Sequence, residues 1–178
     1  MQIRPAALED APRIAAVHVR SWREAYRGLL PQDLLDGLDE AQRAVAWSSA
    51  LTNPDPRVQA FVAEDGGEVV GFVHVRPSRD AEGGTGEITC LYVRQAAWGR
   101  GAGRALMDAA VASMRGSGFA AATLWVLAAN DRARRFYAAA GWTPDGTQRV
   151  EDRGGRDVLE LRYGRPLEAA EVGAVRGD

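Results

Sequence analysis

The chain has 178 residues, 46% of them hydrophobic, with a formal net charge of −2 and a pI near 5.8. That suits one domain with a sizeable core and gives no broad basic face for nucleic acid. No apolar run approaches the ~18 residues of a membrane span, and Met1 leads straight into the strand-like MQIRPA, so a cytoplasmic protein without a membrane partner is expected.

Ile3 and its neighbours read as a first strand. From Leu8 to about Tyr26, apolar positions including Ala11, Ile14, Ala15, Val17, His18 and Trp22 recur at three- and four-residue steps, which predicts an amphipathic helix. Pro12 lies in its first turn, where proline is tolerated. Residues 27–31 are a break, residues 32–51 give one or two helical pieces interrupted near Gly37, and residues 53–56 form a proline-marked loop. Strands follow at 58–64 and 68–76, joined by Asp65-Gly66-Gly67, a hairpin signal. After a polar loop at 78–84 come a strand at 87–93, a helix at 102–115, a strand at 123–127 and a helix at 131–140. Residues 142–152 and 156–163 form a last hairpin across Arg153-Gly154-Gly155. A single domain is expected over residues 1–166, and 167–178, with little to bury, as a frayed tail. Periodicity and length by themselves give an α/β chain with a mixed sheet.

The most informative stretch is EITCLYVRQAAWGRGAGRALM, residues 87–107. It is a strand-like run, a turn holding Gly99, Gly101 and Gly103, and then a helix. At such a junction the free N–H groups of the first helical turn point outward with the positive end of the macrodipole behind them, and an anion fits there. Two phosphate loops are excluded. A Walker A loop needs a lysine and the chain has none; a GxGxxG fingerprint fails because Arg104 follows Gly101, and Leu106 follows Gly103, at the third position.

A second stretch is TLWVLAANDRARRFYAAAGW, residues 123–142. Asn130 is a good N-cap for the helix that follows, and Asp131 is favourable near its positive end. Ala133, Phe136, Tyr137 and Ala140 fall on one face, and Gly141 suits the left-handed cap that ends the helix.

Together these stretches resemble motifs A and B of the GNAT N-acetyltransferase superfamily. Gly101-Ala102-Gly103 fills the Gly-x-Gly/Ala positions of motif A; Asn130, Ala133, Phe136, Tyr137, Gly141 and Trp142 match motif B. The order of elements agrees from Ile3 to Pro166, and SWREAYRGLLPQDLL resembles the segment that lies over the acceptor site in that family. One position departs: Trp98 stands where the family carries Arg or Gln, with Arg100 and Arg104 as candidates for the missing cation.

The resemblance implies an α/β GNAT fold, with a mixed, mostly antiparallel sheet of about seven strands flanked by helices and splayed at its centre. It implies a bacterial, acetyl-CoA-dependent N-acetyltransferase acting on a primary amine, of a small molecule or a peptide amino terminus, by direct attack in a ternary complex. A non-catalytic acyl-CoA-binding module, or transfer of a longer acyl group, is the alternative. Many relatives are dimers, so a homodimer is compatible. The cofactor site is expected to comprise Leu91, Tyr92, Val93, Trp98, Gly99, Arg100, Gly101, Ala102, Gly103, Arg104, Asn130, Arg134 and Tyr137, with a backbone N–H of residues 91–93 as oxyanion donor.

The chemistry asks for a proton acceptor at the amine and a proton donor for the departing thiolate. Glu87 is the expected base, on a strand where partial desolvation would raise a carboxylate toward neutrality. Tyr137 is the expected acid, since a phenol stays protonated at pH 7. Trp22, Tyr26, His74 and Glu87 are the candidates for the acceptor side. Cys90 alternates with Ile88 and Tyr92 and reads as a buried strand residue. One cysteine also excludes an internal disulfide, and with only two histidines beside it no metal site is expected.

Overall fold

The computed structural model describes residues 1–80 and 83–167. Its strands are β1 (Gln2–Pro5), β2 (Gln59–Asp65), β3 (Glu68–Pro77), β4 (Thr85–Val93), β5 (Ala121–Leu127), β6 (Thr143–Asp152) and β7 (Asp157–Pro166). They form one open sheet in the order β1-β2-β3-β4-β5-β7-β6. Neighbours are antiparallel except β4 and β5. Parallel strands need a crossover, and the chain supplies it after α1 (Ala11–Ala25), α2 (Gln32–Asp36) and α3 (Glu40–Leu51) as α4 (Ala102–Gly116); α5 (Asp131–Ala139) follows β5. This is the mixed, mostly antiparallel sheet with flanking helices that the sequence led us to expect.

Each face of the sheet buries one apolar stripe. Leu106, Met107, Ala110 and Met114 of α4 are fully buried against Val73, Val75, Ile88 and Leu124, a three- and four-residue spacing that presents one side of the helix. On the other face Ile14 and Ala15 of α1 and Trp47 of α3 cover Val62 and Phe72. The first helix is interrupted at its start: Leu8–Asp10 forms a 3-10 turn and α1 begins at Ala11. Asp10 explains the break. Its fully buried carboxylate accepts from the Ala7 N–H at 2.9 Å and from Arg4 at 2.6 and 2.9 Å, pinning the turn to β1.

Two irregularities in the central strands make the site. Between His74 and Val75 the register with β4 shifts: His74 faces Cys90 and Val75 faces Ile88, so Thr89 is an extra residue. Such a bulge re-aims the side chains that follow it. Ile88 therefore packs with α4, while Cys90 and Tyr92 pack with α1 and α3, and the alternation read from sequence does not hold. The second is a parting of strands. β4 and β5 pair only from Thr85↔Ala121 to Ile88↔Leu124, whereas β5 stays paired to β7 as far as Leu127↔Glu160.

Leu167 is not the start of a frayed tail: it is 4% exposed, and its N–H donates to the Ala120 carbonyl at 2.8 Å. Residues 168–178, the rest of that expected tail, lie outside the described residues.

Candidate functional site

The gap between β4 and β5 opens into a cavity of about 400 Å³. Leu91, Tyr92 and Val93 form one wall, and on this edge β4 no longer has β5 as a partner. Trp98, Gly99, Gly101, Ala102, Gly103 and Arg104 form the floor at the start of α4; Asn130 and Tyr137 come from α5 and its cap. Arg100 and Arg134 do not line the cavity.

Local chemistry explains the floor. Gly101 is the N-cap of α4 with φ +86°, a left-handed conformation that favours glycine, and no side chain caps the helix. The N–H groups of the first turn are therefore left for a ligand. At Gly103 an added Cβ would stand 3.4 Å from the Phe136 ring, an ordinary contact, so this position has room for a small side chain. Asn130 accepts from the Ala133 N–H at 3.1 Å, which starts α5 and aims Tyr137 inward.

The cation expected near Trp98 comes from an unexpected place. Arg100 turns away to Asp65 at 2.7 Å, and Arg104, although on the wall, donates to Asp108 at 3.1 Å. Instead Arg132 lines the cavity with its guanidinium carbon 2.9 Å from the centroid of the Trp98 ring. The indole N–H of Trp98 is tied to the Val93 carbonyl at 2.7 Å, which fixes the ring as a platform at the end of β4. Sequence shows Asp131-Arg132-Ala133-Arg134-Arg135 but not which arginine faces the ligand. Arg134 bonds the Ala128 carbonyl at 3.1 Å, Asp131 at 3.3 Å and the Tyr163 hydroxyl at 3.4 Å.

At the reacting end Tyr137 is 9% exposed and lies between Phe136 and Tyr163. Burial raises its hydroxyl above the ordinary phenol range, so it is a neutral donor throughout the neutral range. The Cys90 thiol, also on the wall, is pushed by burial up to about 11, which removes it as a nucleophile at neutral pH. Tyr26 and Tyr92 line the cavity with their hydroxyls 3.3 Å apart, joining the end of α1 to β4.

Three expected acceptor residues lie off the wall. Glu87 is 6% exposed and accepts from Arg76 at 3.2 and 3.0 Å, a pair that joins β3 to β4. His74 meets Thr89 at 2.6 Å between Nδ1 and Oγ1; Thr89, the bulged residue, is on the wall and the histidine is not. Trp22 packs against His18 and Tyr26. Ser21, Ala25 and Trp125 take their place. The indole N–H of Trp125 donates to Asp80 at 2.9 Å and Arg149 stacks 4.1 Å from its centroid. In sequence Trp125 reads as one apolar residue of a strand, and only the parting of β4 and β5 exposes it. Among the described residues no group of His, Cys, Asp and Glu could hold a metal ion, and no helix is long and apolar enough to cross a membrane.

Comparison with known proteins agrees with this geometry. A model of the acetyltransferase (GNAT) family matches residues 19–142. The chain is 35% identical over 130 residues to the uncharacterized N-acetyltransferase YuaI of Bacillus subtilis, with 72% of each chain covered. Among solved structures it resembles the PaiA N-acetyltransferase of Thermoplasma acidophilum in complex with coenzyme A, with a TM-score of 0.73 at 18% identity over 93% of this chain and 98% of that one. It also resembles the ribosomal-protein-alanine N-acetyltransferase of Brucella melitensis, with a TM-score of 0.75 at 23% identity over 94% and 100%. At these identities the structural likeness concerns the fold.

Proposed function

The chain belongs to the acetyltransferase (GNAT) family and is an N-acetyltransferase; from that premise we propose that it moves the acetyl group of acetyl-CoA directly onto a primary amine bound beside it. The observation that carries this reading is the parting of β4 and β5 above an uncapped helix N-terminus, with Tyr137 on the wall of the gap.

The residues present fit the cosubstrate. The open N–H groups at Gly101, Ala102 and Gly103 suit its pyrophosphate, with Arg132 and Arg104 as nearby cations. The unpaired edge of β4 at Leu91–Val93 offers ladder groups to the amide-bearing arm, and one N–H there would polarise the thioester carbonyl. When bound, acetyl-CoA supplies the activated acyl group. Tyr137 would donate to the departing sulfur; because its phenol is a weaker acid than a thiol of pKa roughly 8.5, the transfer would go forward only as the tyrosine takes up the proton leaving the amine nitrogen. Glu87, expected as the base, does not line the cavity and is engaged by Arg76, and we assign it the role of holding β3 to β4.

The test is to follow free thiol while the purified protein meets acetyl-CoA and a panel of primary amines. Acceptor-dependent thiol release is expected, and Tyr137→Phe should lower kcat by roughly 100-fold, in the range of general-acid effects, with little change in the KM for acetyl-CoA. Tight acetyl-CoA binding without acceptor-dependent release would make the protein a binding module instead. Unchanged turnover of Tyr137→Phe across pH would remove the tyrosine as the acid.

A further inference from the structure

The acceptor end of the cavity is built from rings and hydroxyls. Tyr26 and Tyr92 meet edge to face, with centroids 6.5 Å apart and planes at 83°. Trp125 lines the same cavity from β5; its N–H is spent on Asp80 and Arg149 stacks 4.1 Å from its centroid, so what it offers the cavity is the rest of an apolar ring. The polar groups between are Thr89 and Ser21. Ser21 is 2% exposed, lines the cavity, and its hydroxyl has no partner among the described residues. Among the described residues on the cavity wall there is no carboxylate.

The charged groups packed around this end do not make up for that. Glu87 is held by Arg76, and Glu160, 7% exposed, is held by Arg149 at 2.8 Å and Arg153 at 2.9 Å. Arg43 and Arg76 act on Cys90 against Glu87, and at Tyr26 Glu160 acts more strongly than Arg153; Asp80, beside the Trp125 N–H, is paired with Arg149 at 3.5 Å; His18 is buried, His74 is half-buried, and both are neutral. Burial holds Tyr26, Tyr92 and Cys90 in their uncharged forms. An ammonium brought here would lose its hydration and meet only carboxylates that arginines already neutralise.

We propose that the acceptor is a small, weakly basic amine carried on a flat apolar group, with a nitrogen already neutral at neutral pH, bound between Tyr26, Tyr92 and Trp125 with Ser21 as its hydrogen-bond partner. This rests on the acetyltransferase reading and deepens it. The proton balance supports the same class. As the amine nitrogen forms its bond to the carbonyl carbon, the carbon–sulfur bond breaks and its electron pair leaves with sulfur. Tyr137 gives its proton to that sulfur and recovers one from the nitrogen through the hydroxyls of the wall. One proton has then passed from nitrogen to sulfur and none remains over, so no carboxylate base is needed. An ammonium would bring one proton more, and a base would have to take it.

The experiment compares two amines on the same aromatic ring: an arylamine, protonated only in acid, and an arylalkylamine, protonated throughout the neutral range. kcat/KM for each is followed by free-thiol release between about pH 6 and pH 8, alongside acetyl-CoA binding by calorimetry. The arylamine should react at a rate that changes less than about twofold over this range, and better than the arylalkylamine at pH 7. The arylalkylamine should gain about tenfold per pH unit, following its neutral fraction. Preference for the arylalkylamine or for an aliphatic polyamine, with a flat pH profile, would overturn the inference and leave the acetyltransferase reading intact. If acetyl-CoA binds and no amine releases thiol, the acetyltransferase reading itself falls, and the inference with it.

Discussion

Arg132 shows how a single residue can replace another across the chain. The family position at the head of the glycine turn holds Trp98, which cannot pair with phosphate, but its ring carries the guanidinium of a residue from α5. Arg132 is exposed overall, and its contact with the cavity wall lowers its basicity through partial burial alone. Charge-assisted hydrogen bonds contribute about 1.5–3 kcal/mol, so Arg132→Ala is expected to weaken coenzyme A binding by roughly 10- to 100-fold. A pantetheine analogue without phosphates should bind the variant as it binds the parent. Equal losses for both ligands would show that Arg132 shapes the cavity and does not bind phosphate. Arg100→Ala is the internal comparison, since that side chain is 60% exposed and paired to Asp65, and it should leave both affinities within about twofold.

At the scale of elements, the start of α4 depends on one backbone conformation. Gly101 holds φ +86° and a Cβ there would touch nothing within 4 Å, so the cost of Gly101→Ala is conformational and not steric. The left-handed region costs an L-residue roughly 1–2 kcal/mol, and urea unfolding should show a loss of that size. If the loop instead relaxes to escape the strain, the first-turn N–H groups move and coenzyme A affinity falls while stability recovers. Unchanged values of both would mean that the turn does not need glycine. The limits of α4 and α5 were legible because capping residues and periodicity are local: Asn130 caps α5 as its side chain requires. The 3-10 turn at Leu8–Asp10 was not, because its carboxylate is fixed by Arg4 from a different element.

For the whole molecule, the buried His18 and the half-buried His74 set an acid limit. Burial, reinforced by Arg43 at His18 and by Arg76 at His74, lowers each to about 4 from an ordinary 6.5. Both are neutral in the folded protein, and as pH falls below 6.5 the unfolded chain takes up protons first. Stability should therefore be level above about pH 7 and fall between pH 6.5 and 4, by about 3 kcal/mol for each histidine at the lower end. Asp10, lowered chiefly by its bond to Arg4, acts further down: its contribution is complete above its ordinary value of 3.8 and is lost as pH falls through its lower folded value. Urea unfolding between pH 4.5 and pH 8 checks this, and His18→Gln, which can still accept from the Trp47 N–H, should remove about half of the slope. A stability that does not change over this range would show that the imidazoles protonate in place.

What the sequence determined by itself was everything encoded over short distances: the stripe of α1, the limits of α4, the hairpin at Gly66-Gly67, the glycine turn, the cap at Asn130 and, through the two motifs, the family. The order of elements along the chain agreed as well, because the family resemblance carries it. Only the tertiary structure decided which face of β4 each side chain occupies, since one bulged residue, Thr89, reverses an alternation that looks regular in sequence. It also left Glu87 out of the cavity lining and brought Trp125, Ser21 and Arg132 into it. Those positions depend on where β4 and β5 part and on how α1 and α5 lean across the gap, and contacts between distant segments leave no periodic signal in the chain.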